Sequence, residues 1–90
     1  MRSNAYHPNA YLEQTRNVRR GLKARTALLN TLENKEANSA SLVKETFLRY
    51  STVMHHLKLL ESERIVFRTD KIPHVWNLTG TGQKRLINSI

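Results

Sequence analysis

His55 and His56 are the first side chains to test for chemistry, since imidazole both ligates metals and titrates near neutral pH. Adjacent residues of a helix diverge by about 100°, however, and two ligands on one helix need i, i+4 spacing, so the pair makes no metal site. The chain has no cysteine, which excludes thiolate ligands, a Cys nucleophile and a disulfide framework. No carboxylate pair, Gly-rich phosphate loop or nucleophilic triad stands out, so neither an enzyme nor a cofactor is expected. What remains is cationic chemistry. Fifteen Lys and Arg against seven Asp and Glu leave a formal charge of +8, the balance of a domain whose partner is a polyanion.

The cations are unevenly placed. Residues 1–26 carry six Lys/Arg and one acid, 27–50 carry three of each, and 51–90 carry six and three. Arg16, Arg19, Arg20 and Lys23 fall at i, i+3, i+4 and i+7, a spacing that gathers them on one face if the segment is helical. Residues 1–21 therefore read as a basic N-terminal arm and 22–90 as the folded domain. Ninety residues support one core, because a chain this short buries only about 60 to 65% of its unfolded surface.

The elements that must position these cations follow from periodicity and capping signals. Pro8 suits a first helical turn, which predicts a helix over 8–20 that Gly21 weakens without necessarily ending. A second helix over 22–34 has Leu22, Leu28, Leu29 and Leu32 as its apolar residues, with Arg25 and Thr26 at the i+3 and i+4 positions after Leu22. Ser41 is placed to cap a short helix through 47, with Leu42, Val43, Thr46 and Phe47 spaced for burial. After a turn at 48–50, Ser51 is placed to cap a helix to about 63, whose stripe of Val53, Leu57 and Leu60 faces inward. Residues 65–69 and 74–78 are rich in β-formers and flank turn residues, which predicts a hairpin. A last short helix over 83–90 offers Leu86, Ile87 and Ile90.

Three helices followed by a hairpin and a further helix give a mainly α fold with a small β-hairpin, in which a helix-turn-helix is followed by a wing. The stretch Ser51-Thr52-Val53-Met54-His55-His56-Leu57-Lys58-Leu59-Leu60-Glu61 resembles the third helix of ArsR-type and MarR-type winged-helix regulators. Val75-Trp76-Asn77-Leu78-Thr79-Gly80-Thr81-Gly82 is similar to their strand-to-helix passage. The resemblance spans roughly residues 25–86 and implies a winged helix-turn-helix that binds double-stranded DNA and regulates transcription. It departs from the pattern at Glu63-Arg64, where these families commonly have Gly, so a non-Gly residue is expected in a left-handed conformation at a cost of about 1 kcal/mol. Without cysteines or His/Asp pairs in the last helix, the metal-sensing chemistry of some ArsR-type members is not carried over.

Only the first turns of a recognition helix usually reach base edges, which selects Arg49, Tyr50, Ser51, Thr52 and His55 for readout, with Lys58 better placed for a phosphate. Ser51 alternatively serves as a pure N-cap. Arg68, Lys71 and His74 surround the wing, where cations touch phosphates or enter the minor groove. Trp76 shares a strand face with Leu78 and His74 and reads as core rather than as a stacking platform. Arg16, Arg19, Arg20, Lys23 and Arg25 would meet the backbone beside the main site, or their helix would form a homodimer interface through Tyr11, Leu12, Val18 and Leu22 with the C-terminal Leu86, Ile87 and Ile90.

The competing expectation is a protein-interaction module of a transcription, replication or other assembly. Ser51, His55, Lys58 and Ser62 on the outer face of the third helix favour DNA, whereas exposed Tyr50, Met54 and Leu59 would favour a protein. Apolar runs are too short for a signal-peptide core or membrane span, so a cytoplasmic protein is expected, nucleoid-associated if prokaryotic.

Overall fold

The computed structural model describes residues 6–79; the expected last helix, and with it Leu86, Ile87 and Ile90, lies outside them. Three α-helices, α1 (Arg19–Asn34), α2 (Ser39–Thr46) and α3 (Tyr50–Ser62), precede an antiparallel hairpin of β1 (Val66–Arg68) and β2 (Trp76–Leu78). This is a winged helix.

The predicted helix over 8–20 does not form. A single 3-10 turn occupies Pro8–Ala10, and the chain then runs irregularly to Val18 before α1 begins. Arg16 thus precedes the helix, while Arg19, Arg20 and Lys23 lie on it. Ala10 and Leu12 are buried in the main core, which anchors this segment against the domain and outweighs the helical spacing of its arginines.

Both later helices start earlier than their serines suggest. Asn38, not Ser41, caps α2, its side chain accepting the Ser41 N–H at 2.8 Å. α3 begins at Tyr50 with Arg49 at its N-cap and no side-chain cap, so Ser51 lies within the first turn. Phe47, expected to be buried, ends α2 in a left-handed conformation (φ 61°) and is 93% exposed.

Packing follows the apolar stripes. Leu28 and Leu29 of α1, Leu42 of α2, and Val53, Leu57 and Leu60 of α3 are fully buried around Ile65, Val66 and Trp76. Trp76 is core: its backbone exchanges hydrogen bonds with Ala37, and its indole N–H donates to the Ser39 hydroxyl. β2 is therefore stitched on one side to β1, with Val66 opposite Leu78 and Arg68 opposite Trp76, and on the other to the α1–α2 connection.

Arg64 is the left-handed residue that Glu63-Arg64 implied, with φ 62°. Its N–H reaches the Glu61 carbonyl and the Ile65 N–H the Leu60 carbonyl, both at 2.9 Å, which closes α3 with a Schellman motif. Glycine holds this conformation without strain, so Arg64→Gly is expected to raise stability by about 0.5–1 kcal/mol in urea denaturation. A lower midpoint for the variant would show that the Arg64 side chain contributes more than its backbone costs.

Candidate nucleic-acid interface

The site is built outward from a buried guanidinium. Arg25 is only 2% exposed although it lies on the apolar side of α1. Its Nε donates to the Ala10 carbonyl at 2.6 Å, its Nη2 to Asn17 Oδ1 at 3.1 Å and its Nη1 to His56 Nδ1 at 3.2 Å. Burial lowers the Arg25 pKa, and the neighbouring Glu63 carboxylate opposes that shift; a guanidinium nonetheless keeps its proton. His56 is driven down to about 4, first by burial and then by the charges of Arg25 and His55, and so accepts from Arg25 as a neutral imidazole. Gly21 makes the arrangement possible. A Cβ there would stand 2.9 Å from Arg25 Nη1 and 3.4 Å from His56 Cε1.

The same network ties down the segment ahead of α1. Glu63, at the end of α3, accepts the backbone N–H groups of Glu13 and Gln14. Asn17 bridges back to both the N–H and the carbonyl of Leu12 at 2.8 Å. His7, itself buried, pairs with Glu33 and donates its backbone N–H to the Thr26 hydroxyl. The entry to α1, with Arg19 and Arg20, is consequently fixed relative to α3.

Between α1 and the helix-turn-helix lies an open groove of about 920 Å³. Arg20, Lys23, Ala24 and Ala27 form its α1 wall; Thr46, Phe47, Leu48 and Arg49 its turn; and Ser51, Thr52, His55 and His56 its α3 wall. The turn is held by Thr46, whose hydroxyl donates to the Leu42 carbonyl and accepts from the Leu48 N–H. Six of the sequence-selected residues meet here: Arg20, Lys23, Arg49, Ser51, Thr52 and His55. Arg16 and Arg19 are exposed nearby in sequence but do not line the groove. Tyr50 and Lys58 are exposed on α3 outside it. The cationic side chains and the hydroxyls give the groove the donors that a phosphodiester backbone accepts from.

On the wing, Arg68 and Lys71 are exposed, whereas His74 is half-buried and donates from Nδ1 to the Thr69 carbonyl at 2.8 Å, which braces the hairpin. Of the residues weighed for a protein partner, Met54 and Leu59 are half-buried against the core, and Tyr50 alone of the three is exposed. Among the described residues, no group of three or more His, Cys, Asp or Glu is placed to hold a metal, and no helix is long and apolar enough to cross a membrane. The sequence grouped Arg25 with the cations expected to meet the DNA backbone, Phe47 with the core and Glu63 only with the end of the third helix; instead Arg25 is buried, Phe47 is exposed and Glu63 holds the segment ahead of α1. A charged residue at i+3 within the stripe of Leu22, Leu29 and Leu32 was the available signal for Arg25; nothing local marks the other two.

The family model for bacterial regulatory proteins of the arsR family matches residues 23–67, half of the chain, from the groove wall of α1 into β1. A MarR family transcriptional regulator from Silicibacter pomeroyi DSS has a similar structure, with a TM-score of 0.66 at 22% identity over 73% of this chain. The chain spans 46% of that regulator's length, and at such identity the likeness concerns the fold alone. The Zalpha domain of PKZ from Carassius auratus, crystallised in complex with Z-DNA, matches with a TM-score of 0.56 and 30% identity over 63% of this chain and 92% of that one. No curated protein sequence matches the chain significantly.

The depressed pKa of His56 makes stability depend on pH. An unfolded histidine titrates near 6.5 and this one near 4 in the fold, so its contribution is complete above about pH 6.5 and is lost as pH falls toward 4. His56→Gln keeps an acceptor for Arg25 but does not titrate. In thermal melts between pH 7.5 and 4.5, wild type is expected to lose more stability than His56→Gln as pH falls; a pH-independent difference between them would contradict the assignment.

Proposed function

We propose that this chain, which belongs to the arsR family of bacterial regulatory proteins, binds double-stranded DNA with the N-terminal half of α3 in the major groove and the wing beside the backbone. It is a DNA-binding transcription regulator, and it acts by occupying its site rather than by catalysis, inside the cell. The observation that carries the placement is the convergence of Arg20 and Lys23 from α1 with Arg49, Ser51, Thr52 and His55 on one groove. Two walls of cations and hydroxyls from separate elements suit a phosphate strand crossing between them, while Ser51, Thr52 and His55 face the base edges. Lys58, Arg68 and Lys71 extend the contact to phosphates on either side, and Arg16 and Arg19 extend it along the arm. His74 holds the wing in shape.

The regulator is proposed to act as a homodimer, which would present two such α3 helices to successive major grooves. Leu12 and Leu22 are consumed by the protomer's own core, which leaves Tyr11 and Val18, 44% and 49% exposed, as the described residues of the proposed dimer contact.

Fluorescence anisotropy with a labelled duplex tests this reading across salt concentrations. Affinity is expected to fall steeply with salt, and Arg49→Ala, Lys58→Ala or Arg68→Ala each to lower the log–log slope by about 1. Because the Carassius auratus domain was crystallised with Z-DNA, a left-handed duplex is the informative second probe. Failure to bind either duplex at low salt would overturn the DNA reading and leave a protein partner as the better account.

A further inference from the structure

Phe47 occupies a position that the fold gives no reason to fill with an aromatic. It is 93% exposed, the most exposed large hydrophobic side chain among the described residues, and its backbone is left-handed, where Gly or Asn sits with less strain. It packs on none of the core, yet it lines the same groove as Arg20, Lys23 and Arg49. Tyr50, one turn further on, is 60% exposed. An apolar ring set among cations has a polyanion as its neighbour when the groove is occupied, so the surface that covers it is an apolar part of that polyanion. In duplex DNA, the apolar group displayed in the major groove is the C5-methyl of thymine, which an aromatic or methyl side chain contacts directly.

We propose that Phe47 is a specificity-determining residue of the interface, seated against a thymine methyl group where the helix-turn-helix meets the major groove. This rests on the DNA-binding reading above and adds a base preference to it. The neighbouring cations supply affinity that ignores sequence; Phe47 supplies a contact that only thymine, or a similarly methylated pyrimidine, completes. The strain at its backbone is then a stability cost retained for recognition.

The test compares a duplex of alternating dA and dT with its dA and dU counterpart, which lacks only the methyl groups, using the full chain at low salt. Wild type is expected to bind the thymine duplex about 3- to 5-fold more tightly, the scale of one buried methyl group. Phe47→Ala is expected to bind the two equally, with the salt slope of wild type. Phe47→Gly is expected to behave as Phe47→Ala does and to melt no lower than wild type; a lower melt would make the ring structural and overturn the proposal. Equal wild-type affinities, or a thymine preference that survives in Phe47→Ala, also overturn it while the DNA reading stands. Binding of neither duplex removes both.

Discussion

The Arg25 guanidinium is a full charge placed inside a 90-residue domain, and the arrangement of α1, α3 and the N-terminal segment is the arrangement that makes it tolerable. An ion this buried costs several kcal/mol unless its donors are met by acceptors of good geometry. The Ala10 carbonyl, Asn17 Oδ1 and the neutral His56 imidazole meet them from two elements, and Glu63 adds an opposing charge from the end of α3. Each partner is useful only if the element carrying it is in place. The network therefore converts a chain of separate preferences into one geometry, and removing one acceptor strands the charge rather than merely losing a bond.

That geometry sets the groove. Arg20 and Lys23 precede Arg25 on α1 by one and a half turns or less, and His55 precedes His56 on α3. The contact Arg25–His56 thus fixes the spacing of the two walls from within, while the exposed neighbours on each helix line the open side. Gly21 belongs to the same design. It costs helix propensity, but a methyl group there would collide with the guanidinium. Strain is concentrated at the turn and at the far end of the helix-turn-helix. Phe47 turns the chain from α2 into α3 and Arg64 releases it into the wing, both in left-handed conformations that glycine would hold more cheaply.

Much of this was legible in the sequence. Val53, Leu57 and Leu60 lie within one arc of a helix and are fully buried, and Trp76 and Leu78 alternate on a strand face as expected. The order of elements and the resemblance of the third helix gave the winged helix. The start of the chain was misjudged because Arg16, Arg19, Arg20 and Lys23 have helical spacing, whereas Ala10 and Leu12 are drawn into the core by contacts with residues far along the chain. Helix starts were misplaced because serines at 41 and 51 are good caps in isolation, yet Asn38 wins the first competition and no side chain caps the second. The groove was partly legible, since its α3 residues follow from one helix face, but its α1 wall and the exposure of Phe47 depend on how two helices pack, which spacing along a single segment does not encode.

The central claim is that one groove, set by the buried Arg25 network, is where the chain meets duplex DNA. Titrating the isotopically labelled protein with a short duplex and following backbone amide chemical shifts tests it most directly. The account predicts that perturbations concentrate at residues 19–27 of α1, residues 46–55 of the turn and α3, and residues 68–71 of the wing. Perturbations confined to the segment ahead of α1 around Tyr11 and Val18, or none at saturating duplex, would contradict it.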